Sequence, residues 1–171
     1  NCKKLNPSTF TIQSLEANRM TDRVVQSECK DSRLDSLSKE LMRQAMQCIN
    51  ATGEFRLVLS ESALLDDFYA RLMCDPDMRA MPWDKIQVWF FGDTTEEDSI
   101  ELAIAAHSGI AEENVRGKLI DETFDCCVLP CVDVVELDAS PCNDCKSYLI
   151  VTHSNGQLNW SHGGVAHWFC L

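Results

Sequence analysis

Residues 55–117 read FRLVLSESALLDDFYARLMCDPDMRAMPWDKIQVWFFGDTTEEDSIELAIAAHSGIAEENVRG, and this stretch decides the fold class. Residues 55–59 and 86–91 are short apolar runs, which are typical of strands covered on both faces in a parallel sheet. Between them, apolar residues recur at helical spacing and predict one buried helix face. That face comprises Leu64, Leu65, Phe68, Leu72 and Met73. A strand–helix–strand order predicts an α/β protein with right-handed crossovers.

The same alternation continues on both sides of this stretch. Residues 36–52 carry apolar side chains at three- and four-residue spacing, and Gly53 ends the predicted helix. Residues 17–35 are polar and weakly periodic, so we expect a loop or an irregular helix there. A further helix is predicted at residues 95–108. Additional strands are predicted at residues 9–15, 124–129, 146–152 and 157–160.

The chain length and the apolar runs give three expectations about architecture. We expect one domain spanning residues 1–171. The runs at 55–59, 86–91 and 124–129 should be neighbouring parallel strands buried between helices. Residues 161–171 are rich in glycine and aromatic side chains, and we expect a tail helix packed on the sheet. The alternative for that tail is an exposed contact site.

Charge and hydropathy argue against two classes of protein. The 171 residues carry a formal net charge of -12, which argues against general nucleic-acid binding because phosphate contacts need clustered Lys and Arg. No apolar run approaches the 18 residues or so that a membrane-spanning helix requires. We expect a cytoplasmic or organellar protein.

The stretch at 55–117 resembles the first half of a 6-phosphogluconolactonase, in the superfamily shared with glucosamine-6-phosphate isomerase/deaminase. That family reads strand–SGGSTP–helix, then PWD–strand–GDER, then a helix ending near AENV. Residues 124–129 resemble its FDLVLLG strand, and residues 157–160 resemble its GELTW strand. The resemblance implies a three-layer α/β sandwich with a mainly parallel sheet, that is, a shortened sugar-phosphate isomerase-like (Rossmann-like) fold. The shortening falls in an irregular, cysteine-rich segment at about 130–146.

The loops that bind the sugar phosphate in this family are altered here. Ser60, Glu61 and Ser62 stand where a glycine-rich turn would cradle the phosphate with backbone amides at a helix start. Glu61 adds a side chain and a negative charge at that turn, while the two serines can donate hydroxyls or simply cap the helix. The resemblance makes these three residues candidate ligand-binding residues.

The second and third family motifs are also degraded. Gly92, Asp93 and Thr94 occupy the GDER position, where the family arginine that forks onto phosphate oxygens is missing. They are further candidate ligand-binding residues, with Asp93 alternatively a turn cap. The GMGxDGHTAS-like turn with its acid–base histidine is absent. If the protein is nevertheless active, Asp93 and His153 are the candidate catalytic residues, since His153 follows a predicted strand.

Five of the ten cysteines crowd into residues 126–145. One C-x-x-C pair, Cys142 and Cys145, has the spacing that lets two thiolates reach one zinc ion, and Cys131 is a candidate third ligand. A strong zinc signature has two such pairs, so we favour free thiols. Zinc and a disulfide or redox pair stay open as alternatives, and no other cofactor is expected.

These losses at three loops predict a non-catalytic 6-phosphogluconolactonase-like protein that acts as a binding or structural component of a larger assembly. A protein partner is therefore expected. The alternatives are an active sugar-phosphate hydrolase of the 6-phosphogluconolactonase type and an inactive sugar-phosphate sensor.

Overall fold

The computed structural model describes residues 23–25, 29–91, 109–118, 123–131, 145–152 and 164–170. Its centre is one seven-stranded sheet in the order β1-β7-β6-β5-β2-β3-β4, and every neighbouring pair is parallel. The strands are β1 (Arg23–Val25), β2 (Phe55–Ser60), β3 (Ile86–Phe91), β4 (Val115–Lys118), β5 (Phe124–Cys131), β6 (Cys145–Thr152) and β7 (Val165–Cys170). The α/β fold class predicted from the sequence is confirmed.

The three strands predicted to be neighbours do lie side by side. In β2, Phe55 pairs with Ile86 of β3, and on the other side Leu57 pairs with Cys126 of β5. Strand β5 runs two residues beyond its predicted end and includes Pro130. Proline lacks a backbone donor, but Pro130 lies beyond Val128, the last residue of β5 that pairs with β2.

Three helices are described: α1 (Lys30–Thr52), α2 (Asp66–Cys74) and the short α3 (Pro76–Arg79). Helix α1 ends as predicted at Gly53, whose φ of 90° is left-handed and whose amide donates to Ile49 O. Asp75 ends α2 and caps α3 by accepting from the amide of Asp77.

Helices α1 and α2 cover one face of the sheet. Leucines of α1 and aromatic residues of α2 pack there on Leu57, Val88 and Val128. The other face is a second buried cluster composed of strand residues. Its members are Val58, Trp89, Phe124, Cys127, Leu129, Cys131, Cys145, Tyr148, Ile150, Ala166 and Trp168. The predicted helix at 95–108 lies outside the described residues.

Two predictions about the ends of the chain are wrong. Residues 17–35 contain strand β1, and α1 begins at Lys30 rather than Ser36, because Leu34 extends the buried helix face by one turn. The expected tail helix at 161–171 is instead strand β7, which pairs with β6 and β1. The predicted strands at 9–15 and 157–160 lie outside the described residues.

In the described part of the chain, no helix is both long enough and apolar enough to cross a membrane.

Candidate functional site

The candidate site lies where the strand order reverses. From β2 the chain proceeds to β3 and β4 on one side, whereas β5, β6 and β7 extend to the other side. In open parallel sheets, ligands bind outside the carboxyl ends of the strands at such a switch point. The candidate site is therefore the crevice beyond the carboxyl ends of β2 and β5, which we call the switch-point crevice.

The turn after β2 carries three of the predicted ligand-binding residues. Ser60 is the last residue of β2, and Ser62 caps a 3-10 turn at Ala63–Leu65 that leads into α2. Ser60, Glu61 and Ser62 therefore lie at the carboxyl end of β2. Gly92, Asp93, Thr94 and His153 lie outside the described residues.

Three backbone donors of this turn have acceptors within the chain. The amide of Glu61 donates to Phe91 O at the end of β3, at 2.8 Å. The amide of Leu64 donates to Ser62 Oγ at 3.3 Å, and that of Leu65 donates to Ser62 O at 2.9 Å. These three N–H groups are therefore not directed at a ligand.

Two buried side-chain oxygens at the turn have no hydrogen-bond partner among the described residues. They are Ser60 Oγ and Glu61 Oε2. Ser60 as a whole is 2% exposed. A buried polar atom without a partner is costly, so the two oxygens mark a place where a donor would be stabilising.

Tyr69 is a site residue that the sequence analysis missed. Its hydroxyl donates to Ser60 O, which fixes α2 against the end of β2. Burial raises the pKa of Tyr69 well above its ordinary value, and the nearby carboxylates of Glu61 and Asp66 add to the shift. The hydroxyl therefore stays protonated. Tyr69 lies four residues after Leu65, so the helical spacing of the buried face could have identified it.

Acidic side chains surround the amino end of α2. Asp66 and Asp67 form its first turn, and Asp67 pairs with Lys30 of α1. Carboxylates there interact favourably with the helix dipole, but they occupy the end of the helix that would otherwise attract an anion.

The three cysteines proposed as metal ligands do not form one site. Cys131 pairs with Thr152 at the carboxyl end of β6, whereas Cys145 at the amino end of β6 pairs with Phe124. Seven residues of strand separate the two ends, which is about 23 Å at about 3.3 Å per residue. Cys131 and Cys145 therefore cannot bind the same metal ion, and Cys142 lies outside the described residues.

No two cysteines in the described part of the chain are joined by a disulfide. These cysteines are Cys29, Cys48, Cys74, Cys126, Cys127, Cys131, Cys145 and Cys170. Within the same residues, no group of three or more His, Cys, Asp or Glu side chains is arranged to hold a metal ion.

Comparison with known proteins finds a similarity in structure. No protein-family model matches the sequence, and no curated protein matches it. The fold is similar to that of a 6-phosphogluconolactonase from Shewanella baltica OS155, with a TM-score of 0.54 and 11% sequence identity. The match covers 88% of this chain and 97% of that one. The chain therefore has a divergent 6-phosphogluconolactonase-like fold.

Proposed function

We propose that this protein is a non-catalytic relative of 6-phosphogluconolactonase that acts as a binding or structural component of a larger assembly. The observation that carries the proposal is Glu61 at the turn after β2. In the family this turn cradles a sugar phosphate, and here it holds a carboxylate with one buried oxygen.

Electrostatics disfavour a phosphate at this turn. Two unit charges of the same sign about 4 Å apart repel by about 4 kcal/mol at an effective dielectric constant of about 20. Asp66 and Asp67 add negative charge at the start of α2. A phosphate dianion would therefore bind far more weakly than at a glycine-rich turn.

The occupied backbone amides support the same proposal. A phosphate cradle needs N–H groups that point at the ligand. The amides of Glu61, Leu64 and Leu65 donate instead to Phe91 and Ser62. These three N–H groups are therefore not available to a phosphate while those bonds are intact.

The two alternative functions are an active sugar-phosphate hydrolase and an inactive sugar-phosphate sensor, and one observation favours the sensor. Ser60 Oγ is buried and lacks a partner among the described residues. A sugar hydroxyl or a phosphate oxygen could satisfy it. A sensor would bind 6-phosphogluconate without turning over its lactone, whereas an active hydrolase would do both.

Lactonase assays and titration calorimetry with 6-phosphogluconate separate these possibilities. For the unmodified protein we expect no lactone hydrolysis above the spontaneous rate, no deamination of glucosamine 6-phosphate, and no measurable heat of binding. The double variant Glu61→Gly, Thr95→Arg should gain phosphate binding, because it removes a carboxylate and supplies a guanidinium.

A matched control is Glu112→Gly, which removes a carboxylate from the 3-10 turn at Glu112–Asn114. It should gain no binding. Tight binding by the unmodified protein would favour the sensor, and turnover lost on changing Asp93 or His153 would favour the hydrolase. Identification of proteins that co-purify with the native chain tests the assembly directly.

A further inference from the structure

A second cleft lies at the opposite edge of the sheet, where the strands begin. It has a volume of about 460 Å³ and is bounded by α1 on one side and by the amino ends of β2, β5, β6 and β7 on the other. Its size is within the range of small-molecule sites, which is about 300–1,000 Å³. Strands of six to eight residues separate it from the switch-point crevice, so the two are distinct.

Asp125 lines this cleft, and Glu40 lies beside it on α1; both side chains are largely covered, and both oxygens of each are already hydrogen-bonded. The Asp125 side chain is 11% exposed, and it accepts from Lys146 Nζ at 2.6 Å and from the amide of Arg56 at 2.9 Å. Glu40, 10% exposed, accepts from the guanidinium of Arg43 and from Gln44 Nε2. Little negative charge is therefore presented to a ligand.

Lys146 and Arg43, the cations that pair with these carboxylates, are exposed and have N–H groups left for further hydrogen bonds. The Lys146 side chain is 63% exposed, and one of its three N–H groups is used by Asp125. The Arg43 side chain is 48% exposed, and three of its five N–H groups donate to Glu40 and Gln47. Among the described residues, the remaining donors of Lys146 and Arg43 have no further acceptor. The accessible charge of the cleft is positive, although the whole chain carries -12.

The floor of the cleft is less polar and contains one unsatisfied hydroxyl. The half-buried Cys48 and Val165 provide apolar surface, and the almost fully buried Phe55 also lines the cleft. Ser147 Oγ is buried there and has no partner among the described residues. The pKa of the Cys48 thiol is raised, mainly by burial and also by nearby Asp125, so this side chain adds no negative charge at neutral pH.

We propose that this cleft at the amino ends of the strands binds a small organic oxyanion, that is, a carboxylate or a phosphate ester with a compact apolar body. The anionic head would lie between Lys146 and Arg43, which approach it from β6 and α1. The body would cover Phe55 and Val165, and Ser147 Oγ would bond to the ligand where head and body join. This inference does not depend on the function proposed for the switch-point crevice.

The test is an NMR titration of the isotope-labelled protein with four probes. Benzoate and phenyl phosphate each carry a phenyl ring, the first with a carboxylate and the second with a phosphate. Benzylamine carries the same ring with a positive charge, and inorganic phosphate lacks the ring. We expect saturable shifts of the Lys146, Ser147 and Gln44 amides with at least one ring oxyanion. The tighter of the two identifies the preferred head group. Inorganic phosphate should bind more weakly, and benzylamine should not bind at these residues.

Substitutions then assign the binding to the cleft. Lys146→Gln should weaken the preferred oxyanion by about fivefold, as expected for losing one partly exposed charge contact. The side chain of Gln can still donate to Asp125, which keeps the strand end intact. Arg43→Gln should weaken binding similarly. The control is Lys39→Gln, which removes an equal charge from an exposed position elsewhere on α1 and should leave the affinity unchanged.

Three results would overturn the proposal. The first is benzylamine binding as tightly as the oxyanions, and the second is the absence of saturable shifts with either ring oxyanion. The third is an equal loss of affinity in Lys39→Gln and Lys146→Gln, which would show that only the overall charge matters.

Discussion

Replacing Gly164 with alanine should destabilise the protein strongly, because two separate physical effects act at this position. Gly164 precedes β7 and has a φ of 84°, a left-handed conformation that disfavours any residue with a Cβ atom. A Cβ built there would also lie well inside the van der Waals distance of the Cys145 carbonyl oxygen, and 3.0 Å from both Lys146 O and Tyr148 Cε2. The two carbonyl oxygens belong to the backbone of β6 and cannot rotate away.

Gly53 separates the two effects. It has a similar φ of 90°, but a Cβ there would meet nothing within 4 Å. Gly53→Ala should therefore cost the conformational term alone, about 1 kcal/mol. Gly164→Ala adds the overlap, which resembles overpacking of a core and costs about 1–3 kcal/mol more. Its total is about 2–4 kcal/mol.

Thermal unfolding followed by tryptophan fluorescence measures both variants, since Trp83, Trp89 and Trp168 are buried and report on loss of the core. The midpoint temperature of Gly164→Ala should fall below that of Gly53→Ala by about 4–8 °C for a difference of about 2 kcal/mol. If the two variants are equally stable, the close approach of Gly164 to β6 is refuted.

Two further predictions concern titratable groups. Burial alone would raise the pKa of Glu40, but hydrogen bonds from Arg43 and Gln44 and the charge of His167 lower it below its ordinary 4.5. Because the pKa of Glu40 is lower in the folded state, its contribution to stability is present at pH values above the unfolded-state pKa. It is lost as the pH falls through the folded-state pKa. Glu40→Gln should therefore flatten the acid side of a stability–pH profile. The hydrogen bond with Ser32 lowers the pKa of the Cys29 thiol, whereas burial raises that of Cys126 well above normal. Iodoacetamide should therefore label Cys29 quickly and Cys126 only on unfolding, and Ser32→Ala should slow the labelling of Cys29; equal rates in the variant and the parent would contradict the assignment.

Sequence patterns predicted the middle of the fold because the buried strands there are apolar along most of their length. Residues 86–91 were predicted with the bounds that β3 has, and 124–129 lies within β5. The error at the C-terminus was avoidable: Val165–Cys170 is a short apolar run after a glycine, which is a strand signal, and it is too short for a stable helix.

The early start of α1 depends on contacts that no local pattern contains. Arg33 donates to the carbonyl oxygen of Cys170 at the end of β7 and to that of Cys29. These bonds connect the first turn of the helix to a strand at the far end of the sequence. Local polarity at residues 29–35 therefore suggested a loop, while tertiary contacts stabilise a helix.

The candidate site was predictable in composition and not in geometry. The position of Glu61 in a phosphate-type turn follows from the residues around it. That its amide donates to Phe91 depends on the register in which β2 pairs with β3, and the turn residues carry no signal for that register.

The pairing of β1 with β7 has a consequence for how the chain folds during synthesis. Arg23 pairs with His167, so the first described strand completes its hydrogen bonds only after the last one has been made. Strands β2 and β3 can pair early in synthesis, but β1 cannot pair with β7 until β5, β6 and β7 have been synthesised. Contacts this distant in sequence slow folding and prolong the exposure of unpaired strand edges to aggregation.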